Sequence, residues 1–468
     1  MAPFKAQNMS NNSMVCPDGA EIGRAQWLQA LAAGVVPEAA MNPVLLKPGS
    51  DLRSHVVLMG EPFGELSSSG WTTDRAILAD TALRAFDDLR SRFDIIIAEG
   101  AGSPTEINLR ADDYVNMGLA RHGRLPVVVV GDIDRGGVFA AMFGTVALLS
   151  AEDQSLVAGW VINKFRGDPG LLSSALHDFG DMTGRPVLGM LPWLDDVWID
   201  AEDALAVAGW AGSRPTQNET LHAAVVRFPR VSNTTDVDAL AAEPGVAVTV
   251  TADPDVIRAA HLVVLPGSRA TVSDLEWLSR RGIGEALVTR QREGKPILGI
   301  CGGYQMLGTV IVDTVESGRG RVSGLALLPT TVTFDRSKHR ALCSDSWRGD
   351  PVDSYQIHHG RVALETTDPR SGTVEQFLDG FQMGTTWGTS GHGLFENDSF
   401  RRSWLTEVAG QAGVSWQAAA DAPSFRTLRN KMLDSLADAV EQRLDTDRLL
   451  ELIDCGCGPV PFVPPGAP

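Results

Sequence analysis

The sequence contains few cysteines for its 468 residues. They are scattered along the chain: Cys16, Cys301, Cys343, Cys455 and Cys457. Their number and spacing exclude a disulfide framework and a zinc site. No apolar run reaches the roughly 18 residues that a membrane span needs, and the N-terminus lacks the pattern of a signal peptide. We therefore expect a cytoplasmic protein without a membrane partner.

Positive charge is also scarce, because 58 acidic residues outnumber 40 lysines and arginines and give a net charge of −18. An acidic surface argues against a nucleic-acid partner, so we expect small-molecule substrates. An anionic substrate would have to bind in a local basic pocket. The chain is too long for one hydrophobic core, which predicts two or three domains.

Short β-branched apolar runs alternate with amphipathic stretches in the first half, as at 93–99, 125–132 and 156–163. Continuous apolar strands separated by helices predict a parallel sheet that is covered on both faces. Ligands of such sheets bind at the carboxyl ends of the strands. The residues that close these runs are therefore candidates for a binding site.

A polar, turn-rich stretch at 211–220 predicts a linker. The alternation of strands and helices restarts after it. We therefore predict an N-terminal domain over 1–210 and a second α/β domain over 221–445. The remaining segment, 446–468, is expected to finish a helix and continue as a disordered, proline- and glycine-rich tail.

The strongest local signal is a strand that runs into Cys301 between Gly299 and Gly303 and is followed by a helix. A nucleophile elbow has this organisation, because its sharp turn needs small neighbours and lifts the nucleophile clear of the sheet. The helix N-terminus should favour the thiolate. We therefore predict that Cys301 is a nucleophile; the alternative is a buried core cysteine.

Two other glycine-rich segments supply partners for this cysteine. His392 lies between two glycines, and together with Cys301 it becomes the expected general base. Gly267 ends an apolar run, and its amide is placed to face a tetrahedral oxyanion.

The runs Cys-Gly-Gly-Tyr-Gln, Leu-Pro-Gly-Ser and His-Gly-Leu-Phe together resemble the class I glutamine amidotransferase domain. The resemblance implies that Cys301 forms a glutamyl thioester with His392 as its base, and that the amides of Gly267 and Gly302 stabilise the oxyanion. The common form of this class has His-x-Glu, whereas Leu394 stands here, so no carboxylate is assigned to orient the histidine. The cobyric and cobyrinic acid amidases are similar in lacking it.

The N-terminal half adds further motifs, which begin at Pro3, Met41, Glu99, Asp132 and Val161. In this order, ahead of the glutaminase motifs, they are similar to the cobyric acid synthases from Met1 to about residue 445. The resemblance implies an α/β protein. Its N-terminal domain would be a P-loop-NTPase-like, dethiobiotin-synthetase-like parallel sheet, and its C-terminal domain a class I glutamine amidotransferase. It also implies ATP and Mg²⁺ as cofactors.

Nucleotide and metal ligands are expected in the N-terminal domain. Glu99, at the end of an apolar strand, suits a Mg²⁺ ligand, and Asp18 is a second candidate, with a plain turn aspartate as the alternative. Lys5 is placed to meet a phosphate or a substrate carboxylate. Asn163 and Lys164 are similar to the base-reading Asn-Lys pair of related ATPases.

Lys47, Arg110, Asp134 and Arg135 are the residues expected on the corrinoid side, although the two arginines would equally suit surface ion pairs. By resemblance, ATP activates the b, d, e and g carboxylates of adenosylcobyrinic acid a,c-diamide, and ammonia from glutamine converts them to amides. The alternatives are a cobyrinic acid a,c-diamide synthase and a stand-alone glutaminase with a docking N-terminal half.

One expected motif is missing: the sequence contains no Gly-x-x-x-x-Gly-Lys-Ser/Thr phosphate loop. The resembling family carries it just upstream of the segment that matches Pro3-Phe-Lys5. We therefore expect Met1 to fall inside the domain, through a wrongly assigned start or a truncation. The alternative is a variant that has lost ATPase function.

We predict that the 468-residue chain binds ATP very weakly and amidates nothing with glutamine. The backbone amides that cradle phosphate and the lysine that reaches it are missing from the sequence. Restoring roughly 20–40 upstream residues, about one strand, loop and helix, should recover both properties. Calorimetry on the two chains measures the difference. Micromolar ATP affinity in the shorter chain would contradict the prediction.

Overall fold

The structure is a computed structural model that describes residues 1–50, 53–67, 71–195, 197–198 and 220–465. The predicted linker at 211–220 lies outside these ranges except for its last residue, as does the predicted domain boundary at 210. Across the described ranges, no helix has the length and apolar character needed to cross a membrane.

The N-terminal half combines strands and helices in an alternating order. Its strands are β1 (Ala2–Phe4), β2 (Gln7–Met9), β3 (Ser13–Val15), β4 (Glu21–Gly23), β5 (Val44–Ser50), β6 (Arg53–Leu58), β7 (Glu61–Ser67), β8 (Ile96–Ala98), β9 (Val127–Asp132), β10 (Val157–Phe165) and β11 (Val187–Pro192). Its helices are α1 (Arg24–Ala32), α2 (Trp71–Arg92), α3 (Met117–Gly123), α4 (Val138–Leu148), α5 (Ala151–Gln154) and α6 (Ser173–Thr183). Short 3-10 helices cover Ala39–Met41, Arg110–Asp112 and Pro169–Leu172.

The predicted parallel strands are present in this half. Strands β9, β10 and β11 form one parallel sheet, and β1 pairs in parallel with β8. Within the described ranges, β8 pairs with β1 alone and β9 with β10 alone, so the parallel strands form two separate sheets. Ile97 on β8 and Val130 on β9 are 52% and 58% exposed.

A second sheet in this half, ordered β2-β5-β6-β7, is antiparallel from β5 onward. A parallel α/β pattern does not predict it. The β3–β4 hairpin follows β2 along the chain and brings Glu21 to the boundary with the second half.

The C-terminal half holds the larger sheet. Its strands are β12 (Leu221–Val226), β13 (Val231–Ser232), β14 (Val246–Thr251), β15 (Leu262–Leu265), β16 (Gly267–Ser268), β17 (Ile297–Ile300), β18 (Val310–Asp313), β19 (Gly320–Ser323), β20 (Thr330–Trp347), β21 (Asp350–Leu364), β22 (Glu375–Phe377), β23 (Gly380–Met383) and β24 (Thr386–Thr389). Its helices are α7 (Thr235–Ala242), α8 (Pro254–Ala259), α9 (Thr271–Arg280), α10 (Ile283–Arg292), α11 (Gly302–Leu307), α12 (Asp398–Ala412), α13 (Phe425–Arg443) and α14 (Thr446–Cys455), with 3-10 helices at Pro369–Thr373 and Leu394–Glu396.

Strand β17 lies at the centre of a seven-stranded sheet ordered β14-β12-β15-β17-β24-β23-β22. The pairings from β14 to β24 are parallel, and all four residues of β17 are buried. Apolar side chains cover both faces of the sheet, with Leu298 and Ile300 in one core cluster and Ile297 in the other. This packing fixes the strand that ends at Cys301. The long hairpin β20–β21 belongs to a separate sheet and passes over that strand end.

The C-terminal segment differs from the expected disordered tail. Helix α14 ends at Cys455, and the chain beyond it returns to the N-terminal half. There Val463 is 4% exposed, and its backbone N–H and carbonyl both pair with the Gln154 side chain, at 2.8 and 2.9 Å. The Asp445 amide also donates to the Leu188 carbonyl at 2.7 Å. The composition of this segment predicted disorder, but the hydrogen bonds to Gln154 and Leu188 and the burial of Val463 hold it in place.

A buried ionic cluster joins the two halves. Glu21 is fully buried and accepts hydrogen bonds from Lys47, Lys338 (2.6 Å) and Ser13 (2.8 Å). Burial alone would raise the pKa of Glu21, but the charges of Lys338 and Lys47 outweigh it and hold this pKa well below its usual range. Lys338 comes from β20 and the other three residues from the N-terminal half, so the cluster fixes the orientation of the two halves.

We expect Glu21→Ala to lower the free energy of unfolding by about 3–5 kcal/mol, because it leaves the buried Lys47 and the mostly buried Lys338 without a counter-charge. A matched control is Glu61→Ala. It removes another ion pair across the same boundary, with Arg340, but the Glu61 side chain is 66% exposed. An exposed pair contributes about 1 kcal/mol or less. Denaturant unfolding of the two variants measures the difference, and equal losses would contradict the importance of the buried cluster.

Candidate functional site

Cys301 sits in the strand-to-helix turn that the sequence predicted. It follows β17, precedes α11 and has φ 50° and ψ −109°, a conformation that costs a residue with a side chain about 1–3 kcal/mol. Its amide donates to the Thr389 carbonyl at 2.8 Å. A Cβ on Gly303 would lie 2.1 Å from the Leu265 carbonyl oxygen, so only glycine lets the helix approach the neighbouring strand this closely.

The Cys301 side chain is buried. The residue is 6% exposed, and Sγ lies 4.0 Å from the Ile357 carbonyl oxygen on β21. Burial raises the pKa of the thiol to about 12, and the hydrogen bond from the Gly302 amide lowers it by less than burial raises it. The expected thiolate preference at the helix N-terminus is therefore outweighed by desolvation, and the resting group is a thiol.

His392 is fully buried against the same strand. Its ring stacks on Tyr355 with 5.3 Å between centroids, and the backbones of the two residues exchange hydrogen bonds of 2.8 and 3.0 Å. Neither ring nitrogen has a hydrogen-bond partner among the described residues. Burial, with the nearby His358 and Lys47, lowers the pKa of His392 to about 3. The imidazole is therefore neutral, the protonation state that a general base requires.

A buried carboxylate anchors the loop that carries His392, although it does not contact the ring through a hydrogen bond. Asp236 accepts the amides of Gly393 and Phe395 at 3.0 and 3.1 Å. Burial raises the pKa of Asp236 to about 7. Sequence reasoning left the positioning of the histidine unassigned, and here the anchor acts on the backbone next to it.

Of the two expected oxyanion glycines, Gly267 packs against His392 and Gly302 follows Cys301 in the chain. A Cβ on Gly267 would lie 2.7 Å from the Ser232 carbonyl oxygen and 2.8 Å from His392 Cε1. A Cβ on Gly302 would lie 2.7 Å from the Ser268 amide nitrogen. Any larger residue at either position would collide with the site. The structure therefore brings Gly267 close to His392, and Gly302 close to the segment that follows Gly267.

A cavity at Cys301 is walled by both halves of the chain. Its lining is mainly polar: Asn11, Lys47, Ser232, Asn233, Ser268, Arg269, Thr271, Cys301, Gln305, Glu316, Phe334, Lys338, Ile357, His358 and His359. Lys47, which was expected on the corrinoid side, thus lies at the Cys301 cavity. Arg269 follows the predicted oxyanion residue Gly267 by two positions, but no sequence signal assigned it to the cavity. Glu316 and Lys338 come from segments outside the predicted site motifs.

Residues 267–269, called here the oxyanion segment, are also linked to the N-terminal half. Strand β16 pairs with β13, and the next residue, Asn233, has a left-handed backbone with φ 53°. Asn233 Oδ1 accepts the Ser13 amide, and the Asn233 amide donates to Asn12 Oδ1, both at 2.8 Å. This reciprocal pair fixes the edge of the cavity to the β3–β4 hairpin.

The predicted phosphate and metal residues are only partly brought together. Lys5 is 6% exposed and contacts Glu99 at 2.7 Å, and Gln29 donates to the same carboxylate at 2.9 Å. Asp18 instead accepts the Ala20 amide at 3.0 Å within an exposed turn, as expected for a plain turn aspartate. The part of the chain that the structure describes contains no group of three His, Cys, Asp or Glu residues suited to hold a metal ion.

The other predicted ligands lie at the carboxyl ends of β9 and β10. Lys164 pairs with Asp132 at 2.9 Å, and the Asn163 side chain accepts the Lys164 amide at 2.8 Å. Asp134 pairs with Arg166 at 3.2 Å. These contacts place a mixed set of charges at one sheet edge, as the parallel topology predicts.

The two arginines expected on the corrinoid side have different surroundings. Arg135 is exposed beside that sheet edge. Arg110 forms an ion pair with Asp153, which is fully buried, and lies 3.6 Å from Asp113. Arg110 thus has an ion pair, as the alternative interpretation expected, but its partner is buried and not on the surface.

We predict that alkylation of Cys301 by iodoacetamide rises about tenfold per pH unit from about pH 7 to about pH 9, because the reactive thiolate forms only near the raised pKa. Peptide mapping by mass spectrometry separates this site from the more exposed Cys343, Cys455 and Cys457. A rate at Cys301 that reaches its plateau below about pH 8 would show that the thiol is not desolvated as described.

Comparison with known proteins assigns both halves. The family profile described as "CobQ/CobB/MinD/ParA nucleotide binding domain" matches residues 1–207. The profile described as "CobB/CobQ-like glutamine amidotransferase domain" matches residues 222–400.

Relatives match along the whole chain. A protein named cobyric acid synthase from Mycolicibacterium gilvum is 55% identical over 477 aligned residues, which cover all of this chain and 94% of that protein. Its namesake in Mycobacterium ulcerans gives the same identity and coverage. One from Cutibacterium acnes is 54% identical and covers 97% of this chain and 93% of its own length. The chain therefore belongs to the cobyric acid synthase family, the glutamine-dependent amidotransferases of cobalamin biosynthesis.

Proposed function

We propose that this chain releases ammonia from glutamine at Cys301, and that the ammonia serves the amidation of ATP-activated carboxylates of a corrinoid. The observation that carries the glutaminase part of the proposal is the strained turn at Cys301, which lines the cavity and has Gly302 next to it. The packing of Gly267 against His392 supports it. A nucleotide-binding domain followed by an amidotransferase domain supports the other part of the proposal, the ATP-dependent amidation.

The first step couples a proton transfer to nucleophilic attack. Both groups are neutral at rest, and the Cys301 thiol gives its proton to His392 while the sulfur attacks the glutamine carboxamide carbon. The Gly267 and Gly302 amides stabilise the oxyanion. The C–N bond then breaks, and the imidazolium returns the proton to the leaving nitrogen, which departs as ammonia. Water hydrolyses the thioester, which releases glutamate and restores the thiol.

The N-terminal half has residues suited to ATP and Mg²⁺. Glu99 is 44% exposed at the end of β8, and a half-exposed carboxylate at a parallel strand end suits a hard cation. Lys5 lies against it and offers a positive charge to a phosphate or an acyl phosphate. In the same proposal Asn163 and Lys164 bind the adenine base of ATP. Asp18, held in its exposed turn, is a weaker choice of ligand. When bound, Mg²⁺ would neutralise phosphate charge.

The acceptor follows from the relatives. They are named cobyric acid synthase, which favours amidation of the b, d, e and g carboxylates of adenosylcobyrinic acid a,c-diamide over formation of the a,c-diamide itself. Asp134 and Arg135, at the carboxyl end of β9, are the proposed corrinoid contacts. The scattered cysteines support a cytoplasmic location.

We predict that Cys301→Ala abolishes glutamine hydrolysis, because the thioester cannot form. His392→Ala should lower kcat by about 10²–10⁴-fold, which is the usual contribution of a general base. Glutamate release measures both effects. Cys343→Ala and His177→Ala are matched controls on partly or fully exposed side chains and should leave the rate unchanged. Hydrolysis that persists in Cys301→Ala would contradict the proposed nucleophile.

A further inference from the structure

We propose that Arg269 and Glu316 bind the α-carboxylate and the α-ammonium group of glutamine and thereby select a free amino acid over other amides. This inference rests on the proposed glutaminase function. The two side chains form an ion pair of 2.6 Å, are 13% and 16% exposed and line the same cavity as Cys301. A nearly buried pair of opposite charges beside a nucleophile matches a zwitterionic substrate.

The lining of the cavity leaves little choice of partners. Within the part of the chain that the structure describes, Glu316 is the one carboxylate among the lining residues, so it is the candidate for the ammonium group. Of the lining cations, Lys47 and Lys338 are already bound to Glu21. The Nε of Arg269 is buried without a hydrogen-bond partner. A guanidinium with a free donor suits a carboxylate, which it can bind through two parallel hydrogen bonds.

The backbone holds both side chains in fixed positions. Arg269 comes two residues after Gly267, and its amide donates to the Arg230 carbonyl at 2.9 Å. Glu316 lies in a turn that is organised by the Asp313 carboxylate, which accepts the amides of residues 315, 316 and 317 at 2.8–3.0 Å. The charges are therefore preorganised next to the oxyanion segment, and only two methylenes separate the carboxamide of glutamine from its α-carbon.

The pair also explains how selectivity would arise. Without glutamine, Arg269 and Glu316 neutralise each other. With glutamine bound, each exchanges its partner for one charged group of the substrate. An amide that lacks one of these groups would leave the corresponding side chain nearly buried and unpaired, which is costly. Sites that pair with a polar substrate group reject analogues without it by large factors, up to about 10⁴–10⁵.

Three amides test the assignment. Glutamine carries both charges, glutaramate lacks the ammonium group, and 4-aminobutanamide lacks the carboxylate. The unmodified chain should hydrolyse glutamine with a kcat/KM at least about 100-fold higher than that for either analogue. Glu316→Gln should raise KM for glutamine, keep kcat and lose preference only against glutaramate. Arg269→Gln should lose preference only against 4-aminobutanamide.

Matched controls are Glu276→Gln and Arg319→Gln, which alter an exposed ion pair of 3.3 Å on the same half of the chain. They should leave all three rates unchanged. Charge-conserving Glu316→Asp and Arg269→Lys provide folded alternatives if a neutral variant does not fold, and they should recover part of the lost preference.

The outcomes separate this inference from the proposed function. Equal loss of preference against both analogues in each variant, or no change in either, would overturn the assignment of Arg269 and Glu316. Failure of the unmodified chain to hydrolyse glutamine would instead overturn the glutaminase proposal.

Discussion

The backbone of Cys301 adopts a positive φ that a cysteine does not prefer, and the site depends on keeping it there. The conformation costs about 1–3 kcal/mol and persists because its surroundings leave no alternative. Strand β17 is buried at the centre of the sheet. The Cys301 amide donates a hydrogen bond to the Thr389 carbonyl of β24, and Gly303 packs against the Leu265 carbonyl oxygen. Moving the cysteine would disturb each of these contacts. The sulfur is thereby held next to the glycine amides and the cavity.

Burial then determines how the site is activated. Desolvation keeps the thiol protonated and the imidazole neutral, so Cys301 and His392 do not form a thiolate–imidazolium pair at rest. In the proposed reaction the proton passes from sulfur to nitrogen only once glutamine is bound. Strand β21 forms part of the wall through Ile357, His358 and His359, and Asn11 and Lys47 of the N-terminal half form another part. The two halves of the chain therefore share the wall of the cavity that Cys301 lines.

Sequence reasoning predicted the parts of this site that depend on local backbone geometry. Glycines beside Cys301, at Gly267 and around His392 mark places where the chain must turn sharply or approach another strand, and those places meet at one sheet edge. Strand alternation also predicted the parallel sheets. Pairing between distant segments could not be predicted in this way. Lys47 and Glu316 reach the cavity from opposite halves of the chain, and the terminal segment is ordered by its contact with Gln154.

The central claim is that Cys301 attacks the carboxamide carbon of glutamine inside the cavity. The most direct measurement is covalent trapping with a diazoketone analogue of glutamine, followed by peptide mass spectrometry. A single adduct on the Cys301 peptide, suppressed by excess glutamine and formed far more slowly in His392→Ala, is the predicted result. An adduct on another cysteine, or glutamine hydrolysis that continues after complete labelling of Cys301, would contradict it.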